Sequence, residues 1–190
     1  MGSGITKVEY GVNRAEWNPN LLVGPVALIS TYDENHTPNI APMSFLSVVS
    51  LKPSILMFSG RKKSPTERNI IIKKCFGVNI VDSSIGERAY ESIKWEGDDR
   101  IKKSGFTMTG ASKVDAPLIE ECRANLECVL HSTTQVGSGF VIFGEIVAAH
   151  IWEDILHTKD HQKRYELLDP IISLDFGSYS TIGDISKIKP

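Results

Sequence analysis

The chain has 190 residues, enough for one domain whose core needs no disulfides or structural metal. Hydrophobic residues make up 41% and charged residues 23%, which argues against wholesale disorder. A formal net charge of -2 offers no long-range field to a polyanion, and no apolar run reaches the roughly 18 residues of a membrane helix, so neither nucleic acid nor membrane is an expected partner.

Met1-Gly2-Ser3-Gly4-Ile5-Thr6 fits the loose N-myristoylation pattern. One acyl chain binds membranes marginally and no polybasic segment follows, so a flexible start is expected. Residues 1–20 read as an extended arm of a single domain covering 1–190. Cys75, Cys122 and Cys128 form no CxxC pair, and with no secretory signal the expected location is the reducing cytoplasm.

Short apolar runs at 26–31, 45–51, 55–59, 76–81, 126–131 and 140–152 predict strands, rich in Val, Ile and Phe and bounded by turn formers. Residues 33–38 form a polar hairpin tip. Gly144 predicts a bulge or bend in the longest run. Ser64, Pro65 and Glu67 predict a helix start: N-cap, N1 proline and capping-box acid, with the helix running to about Lys74. Ser84 and Glu87 repeat that spacing and predict a helix to about Ile93. Asp115-Ala116-Pro117 predicts a short third helix through Cys122. Many strands with few short helices predict an antiparallel barrel with helical insertions.

Ser59-Gly60-Arg61-Lys62-Lys63-Ser64-Pro65-Thr66-Glu67-Arg68-Asn69 carries the clearest chemistry. A strand ends, glycine permits a turn, three cations follow and a helix begins. Free N–H groups at a helix start favour an anion, as do the Ser64 and Thr66 hydroxyls and the Arg61 guanidinium. On the residues alone the pattern reads as a solvated basic turn before a capped helix, with a phosphate monoester site as the alternative. Glu67 opposes an anion by placing a negative charge on the same turn. Neither a P-loop nor a Gly-x-Gly-x-x-Gly fingerprint is present. His157 and His161 lack a matching Glu or Cys ligand and read as part of a solvated segment. Cys128 reads as a buried thiol.

Five segments in order resemble the flavin reductase-like family, the FMN-binding split β-barrels that include flavoredoxins. They are Gly24-Pro25-Val26-Ala27-Leu28-Ile29-Ser30-Thr31, Asn39-Ile40-Ala41-Pro42-Met43-Ser44-Phe45, Lys63-Ser64-Pro65-Thr66-Glu67-Arg68-Asn69-Ile70, Phe76-Gly77-Val78-Asn79-Ile80-Val81 and Leu126-Glu127-Cys128. The resemblance implies a mainly β, Greek-key split barrel with short helices. It implies FMN held by Asn39, Met43, Ser44, Phe45, Ser59, Gly60, Arg61, Lys63, Ser64, Thr66, Asn69 and Asn79, with FAD bound less well. Pro42 disfavours helix for Ala41, keeping this segment extended and its backbone available to the flavin's pyrimidine edge. On the residues alone, Asn39 serves a turn or a ligand and Asn79 a strand edge or a ligand, while alternation favours a core role for Phe45 and Met57.

The resemblance further implies an oxidoreductase using NADH or NADPH and passing electrons through FMN to a flavin or other acceptor. The alternative is a flavoredoxin-like carrier reduced by a redox partner protein; a third reading is a non-flavin barrel for another phosphorylated ligand. Ser173 stands where many relatives carry an arginine, which counts against a nicotinamide contact from that segment. A homodimer is expected, with residues 131–135 and those after Leu167 as candidate contacts.

Overall fold

A computed structural model describes residues 22–175 and 177–186. The N-terminal arm and the myristoylation-like start lie outside them.

Strand β1 (Gly24–Pro25) precedes two hairpins, β2 (Ala27–Tyr32) with β3 (Pro38–Met43) and β4 (Leu46–Leu51) with β5 (Ser54–Arg61). Helix α1 (Pro65–Lys73) and β6 (Cys75–Ile80) follow. Then come α2 (Gly86–Glu91), a 3-10 turn (Ser92–Lys94), α3 (Gly97–Ser104), β7 (Met108–Gly110) and β8 (Pro117–Ile119). Two long strands, β9 (Ala124–Val136) and β10 (Gly139–Ile151), precede α4 (Glu153–His157), α5 (His161–Leu168), β11 (Ile172–Asp175) and β12 (Ser178–Ser180).

The main sheet is antiparallel with seven strands in the order β3-β2-β6-β9-β10-β5-β4. Its two edge strands, β3 and β4, are consecutive in sequence and joined by Ser44 and Phe45, yet they do not pair with each other. The sheet is thus a barrel split at the β3–β4 connection.

Residues 27–31 are buried without a polar-out alternation because both faces of β2 are covered. Ala27 and Ile29 join Leu56, Phe58, Phe76, Phe140 and Ile142 in one core cluster, where Phe58 meets Phe76 and Phe140 edge-on. Val26 and Leu28 join Ile40, Ile85, Ala89 and Ile119 in the other. Gly144 sits at the predicted irregularity: the β9–β10 register shifts between Phe143 and Gly144. A Cβ there would lie 2.3 Å from the Phe76 ring, so glycine lets the strand pass over that side chain.

Two local expectations need correction. Residues 117–119 form β8, not a helix: they pair with β7, and the Pro117 carbonyl accepts the Ser30 hydroxyl. Gly77 permits this approach, since a Cβ there would lie 2.7 Å from the Pro117 oxygen. Burial of Pro117, Leu118 and Ile119 therefore overrides the local helix signal. Second, α2 begins at Gly86 with no side-chain cap, because the Ser84 hydroxyl bonds to Asp82 Oδ1 instead. His157 ends α4 and His161 begins α5, both exposed, and Asp160 caps α5 through Gln162 N–H and Lys163 N–H.

Candidate flavin site at the barrel split

Met43 to Phe45 lead the chain from one edge of the barrel to the other. Edge strands carry backbone N–H and C=O groups without a strand partner; on β3 the Ile40 carbonyl is taken by Arg100 Nη1 at 2.7 Å, which leaves the 43–45 connection as the backbone nearest the split. Phe45 is tied in by its carbonyl, which accepts Ser59 N–H at 3.0 Å. Gly24 passes so close that a Cβ would lie 2.2 Å from the Ser44 carbonyl oxygen. Gly60 backs onto Met43 and Phe140, with a Cβ position 3.1 Å from Met43 Cε and 2.9 Å from the Phe140 ring. Phe45 itself is 50% exposed, which corrects its expected core role; Met57 is partly buried.

The basic turn follows at the end of β5. Arg61 pairs with Gly139 and is exposed, as is Lys63, which adopts a left-handed φ of 59°. Ser64 is the N-cap, its hydroxyl accepting Glu67 N–H at 3.2 Å. The Glu67 carboxylate reaches back one residue further than a capping box requires and accepts Lys63 N–H at 2.6 Å. Pro65 has no N–H, so Ser64 and Thr66 supply the remaining first-turn donors that an anion can meet.

Beneath this turn lies a polar cluster. Asn39 Nδ2 donates to Thr66 Oγ1 at 3.2 Å and to Thr31 Oγ1 at 3.4 Å; Asn69 Nδ2 donates to Thr31 Oγ1 at 3.1 Å. Thr66 is 1% exposed, so its hydroxyl serves Asn39 and is not open to solvent. Asn69 Oδ1 is buried with no hydrogen-bond partner. The cluster clamps the first turn of α1 to β2 and β3. Thr31 was not apparent from the sequence, although it sits directly opposite Asn39 in the β2–β3 register.

Asn79 is placed away from the α1 cluster, with its side chain engaged inside the barrel. Its amide donates to the Leu28 carbonyl at 2.7 Å and to Ser30 Oγ at 2.9 Å. Its oxygen accepts Ile119 N–H at 2.9 Å and Asn125 Nδ2 at 2.8 Å. These partners occupy both amide hydrogens and both lone pairs of its oxygen.

Glu127 lies near it, fully buried. It accepts Ser112 N–H at 2.8 Å, Ser112 Oγ at 2.9 Å and Lys113 N–H at 2.6 Å, and pairs with His150 Nε2 at 2.6 Å. Burial opposes its charge, but the bonds from Ser112, His150 and Lys113 outweigh that and hold the carboxyl down to about 2. Beside it, burial and then the Glu127 charge push the Cys128 thiol up to about 12, leaving it a poor nucleophile.

Among the described residues, no group of three or more His, Cys, Asp or Glu side chains is placed to hold a metal, and no helix is long and apolar enough to cross a membrane. The split therefore combines hydrogen-bonding backbone, an adjoining cationic turn and a short helix start. That donor set fits a flat heteroaromatic ring carrying a phosphate.

Residues 20–168 match the flavin reductase like domain. An uncharacterized protein of Aquifex aeolicus (strain VF5) is 30% identical over 158 residues, spanning 77% of this chain and 78% of the relative. Among solved structures, nitrilotriacetate monooxygenase component B from Bacillus cereus superposes with a TM-score of 0.84 at 22% identity, covering 96% of this chain and 100% of that one. Flavoredoxin of Desulfovibrio vulgaris (Miyazaki F) superposes with a TM-score of 0.76 at 22% identity, covering 99% and 97%. These two share the fold, a flavin reductase-type split barrel, and the chain belongs to the flavin reductase-like domain family, with a flavin-related oxidoreductase or electron-transfer role.

Proposed function

We propose that this protein binds FMN at the barrel split and acts as an oxidoreductase, moving electrons from NADH or NADPH to a flavin or another acceptor. The observation that carries the reading is the junction itself. The unpaired edges of β3 and β4 meet at Met43 to Phe45, and the Arg61 to Ser64 turn lies beside them. Backbone groups of Met43, Ser44 and Phe45 hold the ring's polar edge, and Ser59 and Gly60 form the adjoining wall. Arg61, Lys63 and the N–H groups of Ser64 and Thr66 hold the phosphate. Asn39 and Asn69 act from beneath by fixing the helix start. When bound, FMN supplies the hydride-accepting and electron-passing chemistry, so the chain needs to provide binding, orientation and electrostatic tuning.

A flavoredoxin-like carrier is the second reading, and Ser173 favours it. Ser173 pairs with Gly24 across β1 and β11, one contact away from Ser44, and accepts the Tyr90 hydroxyl at 3.0 Å. A neutral, engaged side chain at that place offers no cation to a nicotinamide dinucleotide.

We further propose a homodimer. Strand β4 exposes Val48, Val49 and Leu51, the last at 80%, and such an edge is covered efficiently by a second copy. Light scattering at micromolar concentration checks this, and a monomer would refute it.

Anaerobic mixing of the FMN-loaded protein with NADH, then NADPH, tests the function. Loss of flavin absorbance with either donor supports the reductase. Bound FMN that neither donor bleaches supports the carrier. Failure of FMN to bind at all in titration overturns both.

A further inference from the structure

The basic turn already contains its own anion. Glu67 is 8% exposed, and its carboxylate accepts the Lys63 N–H at 2.6 Å. Its own N–H is taken by Ser64 Oγ. The left-handed conformation of Lys63 holds the turn in this closed arrangement. Two backbone donors that would serve an incoming phosphate are thus occupied from within the chain. The carboxylate thus sits at the backbone of a turn that carries three cations in sequence, Arg61, Lys62 and Lys63.

From this we infer that Glu67 is a built-in competitor for the flavin phosphate, setting the site for weak, exchangeable flavin binding. The inference rests on the proposed placement of the phosphate at the start of α1. A phosphate monoester carries close to two negative charges at neutral pH. Repulsion from a carboxylate in the same turn acts on that charge and leaves the uncharged ring contacts untouched. FMN and riboflavin share the ring and differ in the phosphate, so the competitor must act on FMN and spare riboflavin.

Titration of the full chain with FMN and with riboflavin, followed by flavin fluorescence, tests this in the wild type, Glu67→Gln and Glu67→Asp. Glutamine keeps the length of the side chain and an oxygen for the Lys63 N–H, but removes the charge. Glu67→Gln should tighten FMN binding about fivefold or more, a range expected for removing one charge beside a partly exposed phosphate. Riboflavin affinity should change less than about twofold on the same reasoning. Glu67→Asp keeps the charge and draws it back from Lys63. It should lower thermal stability as the loss of a cap does, without tightening FMN. An unchanged or weakened FMN affinity in Glu67→Gln, with the wild type still preferring FMN to riboflavin, overturns the inference and leaves the phosphate site standing. If neither wild type nor Glu67→Gln distinguishes FMN from riboflavin, the phosphate site itself falls, and the inference with it.

Discussion

Two buried polar regions lie on the same sheet and differ in how completely they are satisfied. Under β8, Asn79 and Glu127 each take four hydrogen-bonding contacts from fixed partners, and nothing is left over. Under α1, the Thr31–Asn39–Thr66–Asn69 cluster is thinner, with longer contacts and an unpartnered Asn69 oxygen. The first region anchors the β7–β8 segment to the barrel. The second sits under the edge where the barrel is open. A saturated network specifies structure, whereas the thinner one leaves a buried amide oxygen without a partner beside the split.

The largest expected effect breaks the saturated region. Glu127→Gln puts an amide N–H₂ among the donors of Ser112, Lys113 and His150, and should cost about 3 kcal/mol of folding stability. The wild-type carboxyl lies well below its ordinary value of 4.5, at about 2 in the folded state. Its stabilisation is therefore complete above about 4.5 and is lost as pH falls towards about 2. Urea unfolding across that range should show a steep acid loss in the wild type and a flatter one in the variant. FMN affinity at neutral pH should be unchanged.

Asn79→Ala comes next, at about 2 kcal/mol, because it strands the Ile119 N–H and the Leu28 carbonyl. Its folded fraction should bind FMN like the wild type. A selective loss of FMN binding, measured at matched stability, would return Asn79 to the ligand site.

How far these roles were legible in the sequence follows from distance along the chain. The start of α1 was readable because Ser64, Pro65 and Glu67 act within four residues. Six of the barrel's seven strands were readable as apolar runs, β3 being the exception, and Gly144 as a bulge. Asn79 was not, because its partners lie 40 to 51 positions away, at Ile119, Asn125 and Leu28. Strand β8 was missed for a similar reason: its burial depends on Gly77 having no side chain. Most of the site came from family motifs. The split itself is a property of strand order, which no local pattern encodes. Glu67 was visible both as a cap and as an opposing charge, but its hold on Lys63 N–H emerged from the folded turn.

The smallest expected effects sharpen the α1 region. Thr66→Ala removes the acceptor for Asn39 and loosens the first turn; FMN should bind about tenfold more weakly, roughly 1.4 kcal/mol. Lys74, the C-cap of the same helix, is exposed and stands about 12 Å along the axis at about 1.5 Å per residue. At that range charge is largely screened, so Lys74→Ala should change FMN affinity less than about twofold. Fluorescence titration of both variants checks this; equal affinities would reduce the start of α1 to an ordinary cap.

Amide hydrogen exchange with and without saturating FMN tests the central claim most directly. Protection should rise in peptides covering residues 43–46 and 59–66 and stay unchanged in those covering Asn79, Ser112 and Lys113, and Glu127. Protection centred on the β8 region, with none at the split, would contradict the account.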